Sequence, residues 1–306
     1  MRNPVAEAER LLLERARPES TLPAHIFCSG NGTSFGKIVI MTYELSICAE
    51  LLFREHGPSM SLPQLTAIRS AGFDKVEFWS WRDKDVDAVE RALKETGSTV
   101  VSMIGSSGAA DPRRTEDFVG GVRESIAVAQ RLGATNLVVL AGDRLDFLEP
   151  SDQRQAIIDG LSAAAPSAEE AGVTLLLENL NSKVDHVGTF LDSTALALEI
   201  VGSIGSAHVK VLYDLYHSVV MEESIADVIA GSVDLLGHVQ VADHPGRHEP
   251  GSGQVDWGAA LSTLATLGYG GAIGLEYAPS TSDTLASVRH IRTMVDELPR
   301  GADGRG

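Results

Sequence analysis

From residue 39 the chain repeats one unit: a short β-branched or apolar run, then a longer stretch with helical periodicity. The strand-like runs are KIVIMTYELSI, DKVEFWS, TVVSMIG, TNLVVLAG, VTLLLEN, VKVLYD, GHVQVAD and AIGLEY. Between them, segments such as LPQLTAIRSAG, VDAVERALKETG, TEDFVGGVRESIAVAQRLG and STALALEIVGSIG carry apolar residues at helical spacing and end in glycine, the usual C-terminal helix stop. Strands that are apolar almost throughout are buried on both faces, which calls for a parallel sheet covered by helices. Eight of them closed on themselves leave no unpaired edge. The expected fold is therefore α/β, a (β/α)8 TIM barrel, with a doubly wound open sheet as the alternative. A barrel of this kind needs about 250 residues, and the regular pattern spans 39–298 of the 306. Residues 1–38, which include the Gly/Ser-rich SGNGTSFG, are read as a peripheral N-terminal extension, and 299–306 as a disordered tail.

The net charge of -17 repels phosphate backbones and anionic lipid heads, so neither nucleic acid nor a membrane surface is an expected partner. No segment approaches the run of about 18 apolar residues that a membrane span requires. Cys28 and Cys48 form no CxxC pair, and two cysteines make neither a disulfide framework nor a zinc cage. The first residues mix charges without an apolar stretch and cleavage site, so no secretory signal is read and a cytoplasmic protein is expected. Gly30, Gly32 and Gly36 lack the GxGxxG spacing and its strand–turn–helix setting, so no nucleotide cofactor is expected. A homo-oligomer is compatible with the sequence.

In such a barrel the active site lies at the C-terminal ends of the strands. Four polar residues occupy those positions: Glu178 ends VTLLLE, Asp214 ends VKVLYD, Gln240 sits in GHVQVAD and Glu276 ends AIGLE. Each follows a mostly apolar run, where an unpartnered carboxylate would be expensively desolvated. Any one of them could be a structural acid in an ion pair. The four come from consecutive strands, however, and their oxygens suit a divalent cation such as Mg2+ or Mn2+.

The segments LLLENLNSKVDHVGTFLDS, VKVLYDLYHSVVMEESI and above all GHVQVADHPGRHEPGSGQVDW followed by GYGGAIGLEY resemble the hydroxypyruvate isomerases of the xylose-isomerase-like barrel superfamily. The resemblance is strongest from about residue 173 to 280 and continues more weakly from YELSICAELLF at residue 43. It implies that Glu178, Asp214, Gln240 and Glu276 bind the metal, and that Glu178 and Glu276 also face each other as the proton-transferring pair. Two departures stand out. Glu178 is followed by Asn179 where many relatives have proline, and Gln240 stands where some have histidine.

Aldose–ketose isomerisation moves a proton between adjacent carbons through an enediolate, so it needs a base, an acid and positive charge for the oxyanions. Two glutamates and one cation supply that set. The resemblance implies a small anionic hydroxy-carbonyl acid as substrate, hydroxypyruvate interconverting with tartronate semialdehyde. Arg247, in the loop HPGRHEPG, offers a planar fork for its carboxylate, the alternative being a rim ion pair with Glu249. His217, three residues after Asp214, either bonds a substrate oxygen or is structural. Glu77 and His244 are further candidate substrate contacts, although Glu77 also suits a rim ion pair and His244 loop structure. Trp79 and Trp81 either wall the pocket or pack. Competing readings are a 2-oxo-tetronate isomerase or a ketose 3-epimerase. From other classes come an endonuclease IV-like phosphodiesterase, which the charge disfavours, and a non-catalytic sugar-binding barrel.

Overall fold

The computed structural model describes residues 43–297, so the readings of 1–38 and 299–306 lie outside the described residues. Eight strands form a closed barrel in sequence order: β1 Leu45–Cys48, β2 Lys75–Phe78, β3 Thr99–Ser107, β4 Asn136–Leu140, β5 Thr174–Glu178, β6 Val209–Asp214, β7 Leu236–Val241 and β8 Ile273–Leu275. All neighbours are parallel, and β8 returns to β1 through the pairs Leu45 with Ile273 and Ile47 with Leu275. The open-sheet alternative is thereby excluded. The first strand is shorter than the run KIVIMTYELSI, whose residues up to Thr42 fall outside the described part.

Helices follow the strands as the periodicity requires. Asp85, Ser193, Asp256 and Asp283 cap helices Val86–Thr96, Thr194–Ile204, Trp257–Leu267 and Thr284–Asp296 by accepting a backbone N–H three residues on. Gly133, at φ 70, closes helix Thr115–Leu132 in the left-handed conformation that glycine adopts without strain. No helix among the described residues is long and apolar enough to cross a membrane.

Successive residues of a strand face opposite sides, and this alternation decides where the chemistry goes. On β4, Leu137 and Val139 turn outward into the main core beneath the helices, whereas Val138 joins Leu176 of β5 and Leu212 of β6 in a separate cluster inside the barrel, flanked by Ile104 and Leu140. Each fully buried aliphatic of this kind contributes roughly 1.5–3 kcal/mol. Glu178 lies two residues beyond Leu176 and Asp214 two beyond Leu212, so both carboxylates share the inward phase. Gln240 follows His238 in the same phase on β7, and Glu276 follows Gly274 at the end of β8.

The other half of the interior is polar. Glu77 of β2 accepts hydrogen bonds from Ser102 at 3.0 Å and Gln240 Nε2 at 3.3 Å, and its Oε2 lies 2.8 Å from His238 Nε2. The contacts from β2 to β7 cross the barrel. Gly274 makes this closeness feasible, because a Cβ there would overlap the Glu77 carboxylate. The interior is thus divided, aliphatic beside β3 to β6 and polar beside β7, β8, β1 and β2.

Candidate active site

A cavity of about 220 Å3 opens at the C-terminal end of the barrel. Ile104, Val138, Leu140 and Leu180 line one side, while Glu178, Gln240, Arg247 and Glu276 are among the polar groups lining the rest. Glu178, Gln240 and Glu276 therefore meet at one mouth. Asp214 does not line the open cavity. It lies beside two groups that do, with Oδ2 3.5 Å from His217 Nε2 and 3.9 Å from an Arg247 terminal nitrogen.

Each donor atom is presented by a specific local device. Asp214 caps helix Leu215–Val220, its Oδ1 accepting from the backbone N–H of Tyr216 at 2.8 Å and of His217 at 3.4 Å, which leaves Oδ2 facing the site. Glu276 accepts at Oε1 from the Trp79 indole at 2.8 Å and at Oε2 from Arg247 at 2.6 Å. Gln240 donates its amide N–H to Glu77, so its Oε1 is turned away from that carboxylate and is buried without any hydrogen-bond donor among the described residues. Glu77 therefore orients Gln240. Its own oxygens are engaged by Ser102, His238 and Gln240, so its position is an internal brace of the barrel rather than the rim.

Burial in this apolar-walled mouth drives the acids toward their neutral forms. Glu178 is held well above the usual carboxylate range by burial first and then by the Glu276 and Asp214 charges. Asp214 is also raised by burial, against the opposing pull of Arg247 and of the two backbone N–H groups on its Oδ1. Glu276 is pushed up to about 7 by burial, which the Arg247 cation only partly offsets. Burial by itself would lower the Arg247 pKa, but Glu276, Asp214 and Glu178 outweigh it and hold the guanidinium charged. Among the described residues, three buried carboxylates thus share one monovalent cation.

Glu178, Asp214 and His217 each place one atom within 4.8 Å of the others, close enough to share a metal ion. The histidine's hydrogen bonds settle its part. Its Nδ1 accepts from the backbone N–H of Asn181 at 3.2 Å and lies 2.7 Å from the Asn181 side-chain nitrogen. The Asn181 amide is itself fixed, because its oxygen accepts from Val184 and Asp185 backbone N–H groups and its nitrogen donates to Asp185. Burial, with Arg247 and His186 nearby, lowers the His217 pKa well below its ordinary value, so the ring is neutral and carries its proton on Nε2. A protonated nitrogen cannot ligate a metal. The donors that remain are the three carboxylates and the orphaned Gln240 oxygen, an all-oxygen set that fits a hard divalent cation.

The remaining candidates separate clearly. Arg247 points into the cavity rather than to Glu249, which is engaged by Ser280. Its cationic carbon also lies 5.2 Å from the Tyr216 ring centroid. His244 packs at a tilt against Tyr216, centroids 6.2 Å apart, and is not among the residues lining the cavity. Trp79 belongs to the site through Glu276, whereas Trp81 donates to Ser125 and packs against the barrel flank. Sequence reasoning missed Asn181, although it stands in the quoted segment LLLENLNSKVDH, and it missed Asp243. The Asp243 carboxylate accepts from the backbone N–H groups of His244, Gly251 and Val255 and from the Trp257 indole, and so gathers the loop that carries Arg247.

Comparison with known proteins agrees with this architecture. The chain is 29% identical to hydroxypyruvate isomerase of Escherichia coli, over 76% of this chain and 92% of that one. It is 30% identical to 2-oxo-tetronate isomerase of Cupriavidus necator, over 75% of this chain and 90% of that one. The crystal structure of an AP endonuclease, family 2, from Brucella melitensis superposes with a TM-score of 0.76 at 27% identity, covering 82% of this chain and 98% of that one. The model of the family described as xylose isomerase-like TIM barrel matches residues 65–294, three quarters of the sequence, and the chain belongs to that family.

Proposed function

We propose that the chain is an isomerase of a small hydroxy-carbonyl acid, interconverting hydroxypyruvate and tartronate semialdehyde. The observation that carries this reading is the pairing of two buried carboxylates, Glu178 on β5 and Glu276 at the end of β8, in one cavity with a single arginine. The named relatives support the same reaction type.

Glu178 has no hydrogen-bond donor on its carboxylate among the described residues, and burial raises the proton affinity of its ionised form. Both properties suit it to take a proton from the hydroxymethyl carbon. Glu276, oriented by Trp79, returns a proton to the neighbouring carbon. One carbon-bound hydrogen is lost at C3 and one gained at C2, while the hydroxyl proton passes from O3 to O2. His217 Nε2–H, neutral and fixed by Asn181, donates to the oxygen on which negative charge develops. Arg247 holds the substrate carboxylate. Glu178, Asp214, Gln240 and Glu276 would hold a divalent cation, Mg2+ or Mn2+, which when bound supplies Lewis acidity to the carbonyl and hydroxyl oxygens.

A cavity of about 220 Å3 accommodates three- and four-carbon acids, and the Cupriavidus necator relative makes a 2-oxo-tetronate the second reading. The aliphatic wall of Ile104, Val138 and Leu140 offers no hydrogen-bonding groups to the hydroxyls of a longer sugar, which disfavours a free ketohexose. Chelator-stripped protein reloaded with Mg2+, Mn2+ or Co2+ and supplied with hydroxypyruvate, a 2-oxo-tetronate or a ketohexose tests the assignment. Preferred turnover of the three-carbon acid is expected, and preferred turnover of the ketohexose would sink it.

A further inference from the structure

Arg247 is an incompletely satisfied partner of the carboxylates. One terminal nitrogen bonds Glu276 at 2.6 Å and lies 3.9 Å from Asp214, while its buried Nε has no acceptor among the described residues. A guanidinium built for a permanent carboxylate pair makes two parallel bonds, and this one makes a single-point contact. It reaches the site from a backbone at φ 54, the left-handed region that costs a non-glycine residue energy. Asp214 lies with Glu178 in a group close enough to share a divalent cation, and Glu276 and the orphaned Gln240 oxygen belong to the same mouth. Guanidinium and cation therefore address the same oxygens.

We propose that Arg247 is the resident counter-ion of the metal-free centre, that it competes with the divalent cation for Glu276 and Asp214, and that cation binding frees it to receive a carboxylate ligand. The inference rests on the reading of this cluster as a cation site and adds an order to it: cation first, acid second. While Arg247 serves Glu276, its capacity for an external anion is spent. Once the carboxylates are neutralised by a cation, the charged fork is left without its partner, and the anion of an acid substrate becomes its natural acceptor. Because binding free energies are reciprocal, whatever the guanidinium loses to the cation must appear as weaker cation binding in the wild type than in a chain without it.

The test uses the full chain, stripped with chelator and titrated with Mn2+ while the resonance of the free ion is followed. Arg247→Met keeps the apolar stem but removes the competing charge, and it is expected to bind Mn2+ about tenfold more tightly than wild type or better. Arg247→Lys, a hydrated point charge with no fork, is expected to fall between them. Stripped Arg247→Met should also melt below stripped wild type, since three buried carboxylates have lost their cation, and saturating Mn2+ should close the gap. Equal or weaker Mn2+ binding by Arg247→Met overturns the proposal. Should that variant fail to fold without metal, Arg247→Lys against wild type decides by the same criterion. Mn2+ bound equally by all chains overturns the exchange and leaves the cation site standing, whereas Mn2+ bound by none overturns both.

Discussion

Asn181 directs two nitrogens at Nδ1 of His217, the backbone N–H at 3.2 Å and the side-chain amide at 2.7 Å, and so places the histidine proton on the nitrogen that faces Asp214 and Glu178. Asn181→Asp puts a carboxylate oxygen where the amide donates, which draws a proton onto Nδ1. The 15N shifts of His217 should report that change directly. Turnover should fall about 10²-fold, the usual cost of one donor lost from a developing oxyanion. An altered nitrogen signature with unchanged turnover would remove His217 from the reaction.

Asp243 bears on Arg247 through the loop between them. The carboxylate accepts from three backbone N–H groups and the Trp257 indole. Burial by itself would raise its pKa, but the backbone N–H groups of Gly253, Val255 and Gly251 and the Trp257 indole hold it below the ordinary value. Asn at this position offers one acceptor oxygen and turns an amide toward N–H donors, leaving buried donors unpaired at about 1–3 kcal/mol each. Asp243→Asn and Arg247→Ala should each raise the Michaelis constant for an acid substrate, because both take the guanidinium from its place. Combined with Arg247→Ala, Asp243→Asn should add little to that constant. An additive double variant would mean that Asp243 acts on something other than Arg247.

Much of this is legible in the sequence. The alternation of apolar runs and helical periods predicts eight strands, and the two-residue phase from Leu176 to Glu178 and from Leu212 to Asp214 turns those acids inward. Local pattern cannot announce contacts closed by the barrel itself. Trp79 and Glu276 are 197 residues apart, and Glu77 and His238 are 161 apart. Glu77 reads as a rim acid in sequence because nothing near it in the chain reveals that β7 lies across from it. Arg247 is legible in sequence as a cation in a catalytic loop, but its partner is not, since Glu249 is nearer in sequence and Glu276 is nearer in space.

The raised carboxylates predict an unusual pH dependence for the metal-free protein. Glu276 titrates near 7 when folded and near its ordinary 4.5 when unfolded, so between these values the folded state binds more protons. Its contribution to stability is full below about 4.5 and is lost as pH rises through 7. Glu178 and Asp214 are shifted in the same direction. Melting temperature in chelator should therefore fall between pH 5 and 8, and Glu276→Gln should flatten the fall, with the profile read by calorimetry at constant ionic strength. Saturating Mg2+ should flatten it as well, because the cation replaces the protons and takes up the negative charge. A chelated protein whose stability rises over that interval would contradict the assignment of buried, proton-holding acids.

The most direct measurement of the account follows hydroxypyruvate in D2O by proton NMR, with Mg2+-saturated wild type and Mg2+-saturated Glu178→Gln. Wild type should exchange the C3 hydrogens for deuterium and form tartronate semialdehyde. Glu178→Gln, folded and metal-loaded, should do both about 10²–10⁴-fold more slowly, the range expected for a lost general base. A variant that exchanges and isomerises at the wild-type rate would show that Glu178 is not the base and would contradict the two-glutamate account.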